Sequence, residues 1–481
     1  MNFKKAQIDN TTNNVMKTSK IRNSRFLFIA VLAMITIIGK SQVSFISNGQ
    51  NITSSNAWDI HLVDLNGDSI PDAYFENKVW LNDGHGQFTK TNTSFGSGTY
   101  TSFADINGDG YVDVVCNDSI FLNDSAFHFN FSKKLVSDII MLSSVLADID
   151  NDGDIDIISC SDATDRILLN DGKGNFTNTG KSLDGWGQAS YALGDINGDG
   201  FTDIYVAIPH IPPMGGHTPN LIWFGDSAGN FTKKLHDISG AESRGAILAD
   251  FNKDGKLELY VSDRKTGGKF FFNDGAGNFT ISNQQLGTHA SMAVSADFNN
   301  DGYLDIFIGQ DDGNSEGAPF GNGAPNTVWI NDGTGHFTDS HLRLGSSNSI
   351  AVAVGDINND NKKDVIVANV KFSTPGVTIA CPVEIWLNNS IPTAIKPIYG
   401  EYNDVAIYPN PCKELVNVKF NNPSDKPVYI TMFDLQGNIV IAKTMADTEN
   451  PVLDLTGFSN GTYLVSLSSP DKVIYKMIYK E

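Results

Sequence analysis

The sequence predicts an all-β chain: a seven-bladed β-propeller followed by a small β-sandwich. Three observations predict it. The acidic stretch DINGDGFTD, Asp195–Asp203, returns in variant form six more times, its first residue recurring at intervals of 41 to 59 residues. Each copy leads into a short apolar run and then a hairpin signal such as WLNDGHGQFT or FFNDGAGNFT. No stretch sustains the apolar spacing that a helix needs. Four short strands per unit, repeated at this period, make propeller blades.

Taken in chain order, the first element is an export signal. Lys17, Lys20, Arg22 and Arg25 precede a 13-residue apolar run, Phe26–Ile38. A bilayer span needs about 20 residues, so the run is too short to cross. Residues 1–41 therefore read as a signal peptide, with Met16 an alternative start and cleavage expected before Gln42. Residues 42–390 form the propeller. In each unit one strand ends at the acidic loop (SYALGD), a second follows it (DIYVA), a third ends at Asn-Asp-Gly and a fourth begins at Phe-Thr. Asp-Gly supplies the positive φ angles of a tight hairpin. The second copy, FLNDSAFHF, is degraded, and the seventh stops at EIWLNNS without a fourth strand. VSFISN, Val43 to Asn48, resembles the Phe-Thr strands and is expected to pair with Glu384–Asn388, closing the ring and removing its open edge. Residues 391–404 are a linker and 405–481 a compact all-β module with alternating apolar residues.

Forty-five glycines and 19% charged residues fit a turn-rich β protein, and a net charge of −21 argues against nucleic acid as a partner. The acid is concentrated in the repeated loop, at positions 1, 3, 5 and 9. These are Asp64, Asn66, Asp68, Asp72; Asp105, Asn107, Asp109, Asp113; Asp148, Asp150, Asp152, Asp156; and Asp195, Asn197, Asp199, Asp203. Then come Asp250, Asn252, Asp254, Glu258; Asp297, Asn299, Asp301, Asp305; and Asp356, Asn358, Asp360, Asp364. Carboxylates this close repel unless a cation joins them. Positions 1, 3 and 5 converge, the position-7 carbonyl points inward, and position 9 can offer both oxygens. An all-oxygen donor set suits Ca²⁺ rather than Zn²⁺. Up to seven structural Ca²⁺ are expected, held more weakly in the first and seventh loops, where Ser69 and Asn361 replace the turn glycine. Position 12 is Val206 or Ile308, inside a strand, which excludes an EF-hand. Cys116, Cys160, Cys381 and Cys412 match neither a zinc nor a disulfide spacing and read as buried thiols.

The pattern Asp-x-Asn-x-Asp-Gly-x-x-Asp, a hydrophobic strand and Asn-Asp-Gly-x-Gly-x-Phe resembles the FG-GAP/VCBS repeats of integrin-α-like propellers, over about residues 43–390. That resemblance implies seven blades with Ca²⁺ in the loops joining strands 1 and 2. Tyr408-Pro409-Asn410-Pro411, Asp434 to Gly437 and Gly461-Thr462-Tyr463 are similar to type A sorting domains of the type IX secretion system, over residues 405–481. The likeness implies an Ig-like sandwich that engages the type IX machinery. It places the chain as secreted or on the surface of a Bacteroidetes-type bacterium, meeting membrane only during export or by anchoring.

Chain direction puts the acidic loops and Asn-Asp-Gly hairpins at one end of the ring. Insertions at 209–220, 310–326 and 369–382, read as loops between strands 2 and 3, lie at the other end. Loops carry function more often than scaffolds do. Candidate ligand residues there are Trp58, Tyr100, Trp186, His210, His217, Arg244, His289, Asp311 and Asp312. Aromatic faces beside acids and amides suit a sugar or peptide, so a glycan- or protein-binding adhesion module is expected. The alternative is a polysaccharide lyase that pairs His289 with Arg244. Gly-x-Ser-x-Gly, P-loop and dinucleotide fingerprints are absent from the sequence.

Overall fold

The second strand of each repeat explains the architecture. In a computed structural model, Ile204, Tyr205, Val206 and Ala207 of strand Asp203–Ala207 are all buried. The strand is apolar on both faces because its sheet is covered on both sides. Such sheets stack face to face around an axis, each covered by its two neighbours.

The structure describes residues 43–481 except 55–56, 97–100, 125–126, 136–140, 162–164, 184–188, 209–219, 235–241, 313–322, 375–376, 380, 391–404, 421–427, 435–438, 446–450 and 470–471. The segment expected to be a signal, the first two insertions for the most part, the expected linker, and Tyr100, Trp186, His210 and His217 lie outside the described residues. Every element among the described residues is a strand. Seven antiparallel sheets follow one another in chain order. Blade 1 is Ile60–Val63, Asp72–Phe75, Lys78–Asn82 and Phe88–Lys90; blade 2 is Thr101–Ala104, Asp113–Cys116, Ser119–Asn123 and Phe129–Lys134. Blade 3 is Met141–Ala147, Asp156–Ser161, Arg166–Asn170 and Phe176–Asn178; blade 4 is Ser190–Gly194, Asp203–Ala207, Leu221–Gly225 and Phe231–Lys234. Blade 5 is Ser243–Ala249, Glu258–Asp263, Gly268–Asn273 and Phe279–Leu286; blade 6 is Ala290–Ala296, Asp305–Gln310, Thr327–Asn331 and Phe337–Asp339. Blade 7 is built on Asn348–Gly355, Asp364–Thr374 and Cys381–Asn388. Its fourth strand is Phe45–Ser47, with Phe45 opposite Asn388 and Ser47 opposite Trp386. The first strands of blades 7 and 1 lie side by side, so the ring closes.

One insertion differs from its reading as a loop. Its described residues extend the sheet: Asp364–Thr374 continues past the blade and pairs with Val377–Ile379, which returns alongside it. Val370, Phe372, Thr374, Val377, Thr378 and Ile379 are strand-favouring types, which a reading based on insertion length overlooks. Strand Ile52–Ser54 pairs with the base of this extension, Ile52 opposite Val383.

The asparagine of Asn-Asp-Gly joins the blades. Each Nδ2 donates to the position-2 carbonyl of the preceding blade's acidic loop: Asn123 to Leu65, Asn170 to Ile106, Asn273 to Ile196, Asn331 to Phe251 and Asn388 to Phe298. Asn82 reaches back to Ile357 at 2.8 Å, across the closure. Blade 4 has Gly225 at this place, and there Thr202 Oγ1 bonds the Asp148 carbonyl at 3.1 Å instead. Asn331 also donates to Leu304 and accepts from Gly333 and Gly335. Asn331→Ala is therefore expected to cost on the order of 2–4 kcal/mol, because it strands buried carbonyls. A lower urea midpoint at unchanged slope is the readout, and an unchanged midpoint contradicts the assignment.

The chain divides into two compact units, residues 1–395 and 396–481. The second is two facing sheets. Val405–Tyr408, Leu415–Phe420 and Val452–Asp454 make one; Ile439–Met445, Val428–Phe433, Gly461–Ser469 and Lys472–Lys480 make the other. Val416, Val418, Ile430, Met432, Leu453 and Val465 fill the space between them. Asn410 caps the outer edge of Lys472–Lys480, donating to the Met477 carbonyl and accepting from the Tyr479 N–H, both at 2.8 Å.

Candidate functional site

The acidic loop holds its own shape through side-chain oxygens. In blade 4, Asp195 Oδ1 accepts from Gly198 N (2.7 Å) and Asp199 N (3.1 Å), and Oδ2 from Gly200 N (2.9 Å). Asn197 Oδ1 accepts from Asp199 N at 2.9 Å, and Asp199 Oδ1 from Phe201 N at 3.0 Å. These bonds hold the side-chain oxygens against the loop's own main chain. The turn residue at position 6 sits in the left-handed region throughout. Ser69 (φ 66°) and Asn361 (φ 63°) adopt it like the glycines, so neither substitution distorts its loop.

Position 9 does more than the sequence reading gave it. Asp72, Asp113, Asp156, Asp203, Glu258, Asp305 and Asp364 are fully buried. One oxygen of each accepts from the residue at position 2, as Ile196 N does at 2.8 Å to Asp203. In six blades the other oxygen accepts from the end of strand 3, as Gly225 N does at 2.8 Å. The carboxylate thus ties the loop to the blade as well as facing its interior. Burial first, then neighbouring acids of the same loop, the position-5 acid in every blade, pushes these carboxyls up. Asp113, Asp156, Asp203 and Asp364 rise to about 6, Asp72 and Glu258 to about 7, and Asp305 to about 8, while main-chain bonds pull the other way.

The seven loops are not equal. In blades 1, 2, 4 and 6 the position-3 amide donates to the position-5 carboxylate at 2.8–2.9 Å. Blade 3 has Asp150 there. Oxygens of Asp148, Asp150 and Asp156 all lie within 4.8 Å of one another. Asp150 Oδ1 is buried and has no hydrogen-bond partner. Its carboxyl is raised by burial, then by Asp152 and Asp148. A hard divalent cation fits this loop: it satisfies the orphaned oxygen and offsets the mutual repulsion, and the donor set is all oxygen.

At the other end of the ring the candidates sort differently from the sequence reading. Trp58 is exposed. Arg244 Nη2 donates to Glu242 Oε1 at 3.0 Å, and His289 Nδ1 lies 3.1 Å from the Arg264 carbonyl. Asp311 is buried and joined to Arg264 Nε, linking the strand 2–3 turn of blade 5 to the base of the blade 6 insertion. Asp312 follows, half-buried. Glu242, Arg264 and Lys265 were not picked out in the sequence.

Comparison with known families and structures bears on the fold and the sorting domain. The FG-GAP-like repeat family matches residues 148–206, 250–308 and 297–367, and the secretion system C-terminal sorting domain family matches residues 406–481. No curated protein matches the chain. Among solved structures, the chain is similar to an Agrocybe aegerita lectin described as recognising non-reducing terminal N-acetylglucosamine. The two share 19% identity over 67% of this chain and 87% of that one, with a TM-score of 0.45. It is also similar to BBS1N in complex with ARL6DN, at 11% identity, 72% and 97% coverage and a TM-score of 0.46. The chain carries FG-GAP-like repeats and a type IX sorting domain. The sorting domain indicates export in Bacteroidetes to the cell surface or the extracellular space, through the type IX machinery.

Proposed function

We propose that this exported FG-GAP-repeat propeller is a calcium-stabilised binding module that engages a glycan or protein with the end of the ring opposite its acidic loops. The loops would hold Ca²⁺ through positions 1, 3, 5 and 9, most tightly in blade 3. The ion supplies charge neutralisation there; the chain's own side chains supply the shape of the turn and its attachment to strand 3. One observation carries the binding reading. The loop end is occupied by bonds that build the scaffold, whereas the opposite end presents an exposed Trp58 and the ion network of Glu242, Arg244, Arg264 and Lys265. Aromatic and arginine side chains are the usual anchors of recognition surfaces.

The lyase alternative needs a base and a cation meeting at one substrate atom. Arg244 is committed to Glu242 and His289 to the Arg264 carbonyl, which favours binding. The test is a panel of glycans and surface extracts offered to the calcium-loaded protein, with ultraviolet absorbance followed for unsaturated sugar ends. Retention without new absorbance is expected; steady growth of unsaturated ends would make the chain an enzyme.

A further inference from the structure

Position 7 of the acidic loop changes charge from blade to blade. Blades 1, 2, 4 and 6 place Ile70, Tyr111, Phe201 and Tyr303 there, blade 3 places Asp154, and blades 5 and 7 place Lys256 and Lys362. The side chain is seated on its own blade. Ile70, Asp154, Lys256 and Tyr303 lie so close over the hairpin glycines Gly84, Gly172, Gly275 and Gly333 that a Cβ there would collide with them. A charge carried at position 7 therefore stays beside its loop.

Both lysines turn to the same partner. Lys256 Nζ lies 3.4 Å from Asp254 Oδ2 in blade 5, and Lys362 Nζ lies 3.5 Å from Asp360 Oδ2 in blade 7. Each acid is its loop's position 5, a carboxylate that a bound ion would need. The blade 5 loop departs further. The position-3 amides of blades 1, 2, 4 and 6 donate to position 5, but Asn252 Nδ2 donates to Glu258 Oε1 at 3.1 Å, while Glu258 Oε2 accepts from Phe251 N at 3.0 Å. Both oxygens of position 9 are thus bonded within that loop. Lys253, at position 4, adopts φ 58° in the left-handed region, where the other six loops have Gly or Asn. Its ammonium lies over the Tyr303 ring of blade 6, 4.6 Å from the centroid, at the seam between two loops. Across nine positions the blade 3 loop has five acids and no base. Those of blades 1, 2, 4 and 6 have three acids and no base, and those of blades 5 and 7 have three acids and two lysines.

We propose that the position-7 lysines of blades 5 and 7 stand in for the divalent ion, so that these two loops close without metal and the loops of blades 1, 2, 3, 4 and 6 take it up. The proposal rests on the calcium reading and says which loops it applies to. Oxygen-ligand sites tune their affinity by the charge of the donor set and its rigidity. An ammonium at position 5 must be displaced before an ion enters, and it repels that ion from a few ångströms away afterwards. The expected penalty is on the order of a hundred-fold in affinity.

The test is native mass spectrometry of the full chain across a titration of free Ca²⁺ set by a chelator buffer. Five ions are expected to bind first, and two more only at about a hundred-fold higher free Ca²⁺. Lys256→Met and Lys362→Met keep the length of the stem and should each move one ion into the first group. Tyr111→Lys, at a side chain exposed in blade 2, should remove one ion from that group, so the answer does not depend on the lysine variants alone. Ion counts unchanged in both lysine variants and in Tyr111→Lys overturn the assignment, as do seven ions of one affinity in the unaltered chain; either result leaves the calcium reading standing. A chain that takes up no Ca²⁺ at any concentration overturns both.

Discussion

Chelation of divalent cations is expected to lower the melting temperature of the propeller by on the order of 10 °C. A ligand that binds only the folded state at one hundred times its dissociation constant adds about 2.7 kcal/mol per site. Several loops act together, so the effect exceeds that of any single side chain. Blade 3 should contribute most, because Asp150 Oδ1 is buried without a partner and no position-3 amide neutralises Asp152. Asp150→Asn separates metal from scaffold. It should leave the chelated melt unchanged or higher, since it removes a repelling charge, while shrinking the gain on adding Ca²⁺. Asp156→Ala should instead destabilise both forms, because Asp156 accepts from Ile149 N and Asn170 N. An identical melt with and without chelator sinks the calcium assignment.

The same carboxyls set an unusual pH response for the chelated protein. Their folded pKa values, about 6 to about 8, lie above the about 4 of an unfolded carboxyl. The folded state therefore binds the proton more tightly, and its relative stability falls as pH rises from about 4 through these values. The chelated propeller should melt higher at pH 5 than at pH 8. Saturating Ca²⁺ should reverse the order, because the ligands are the ionised groups. A chelated melt that climbs with pH counts against the buried position-9 carboxyls.

What the sequence showed and what it hid follow from the range of each interaction. The acidic loop closes within nine residues, Asp195 to Asp203, so its pattern is visible in the chain itself. The missing fourth strand of blade 7 was also visible, as an absence after Asn388 and a surplus at Phe45. The asparagine staples were not, although the residue recurs. Asn123 meets Leu65 across 58 residues and Asn388 meets Phe298 across 90, and nothing local distinguishes that role from a hairpin turn. Position 9 was read only as a ligand because burial and strand 3 are both needed to see it as a strut. Arg244 and Trp58 were chosen for their chemistry. The bulge that presents Arg244 is a property of the sheet and has no sequence signature of its own.

Removal of residues 43–54 is expected to have the largest effect of any change to the propeller. Phe45 is buried against Phe298 and Phe307, with ring centroids 5.6 and 6.3 Å away. Val43 and Ile52 are buried as well. Exposing three such side chains costs roughly 5–9 kcal/mol, comparable with the whole stability of an ordinary domain. Main-chain pairing is lost too. The strand Cys381–Asn388 would then present a bare edge of apolar sequence, the usual template for association between chains. Gln50 adds a second link, since its amide donates to the Phe88 carbonyl at 2.6 Å and accepts from Phe88 N at 2.9 Å, fastening the segment to blade 1. The truncated protein should therefore melt far below the intact one and elute as dimers or larger species. A peptide spanning residues 43–54, added in trans, should restore the monomer by re-forming the strand opposite Asn388. A truncated chain that stays monomeric and melts like the intact protein would show that seven blades close without this strand, and the ring would have to be held by the asparagine staples alone.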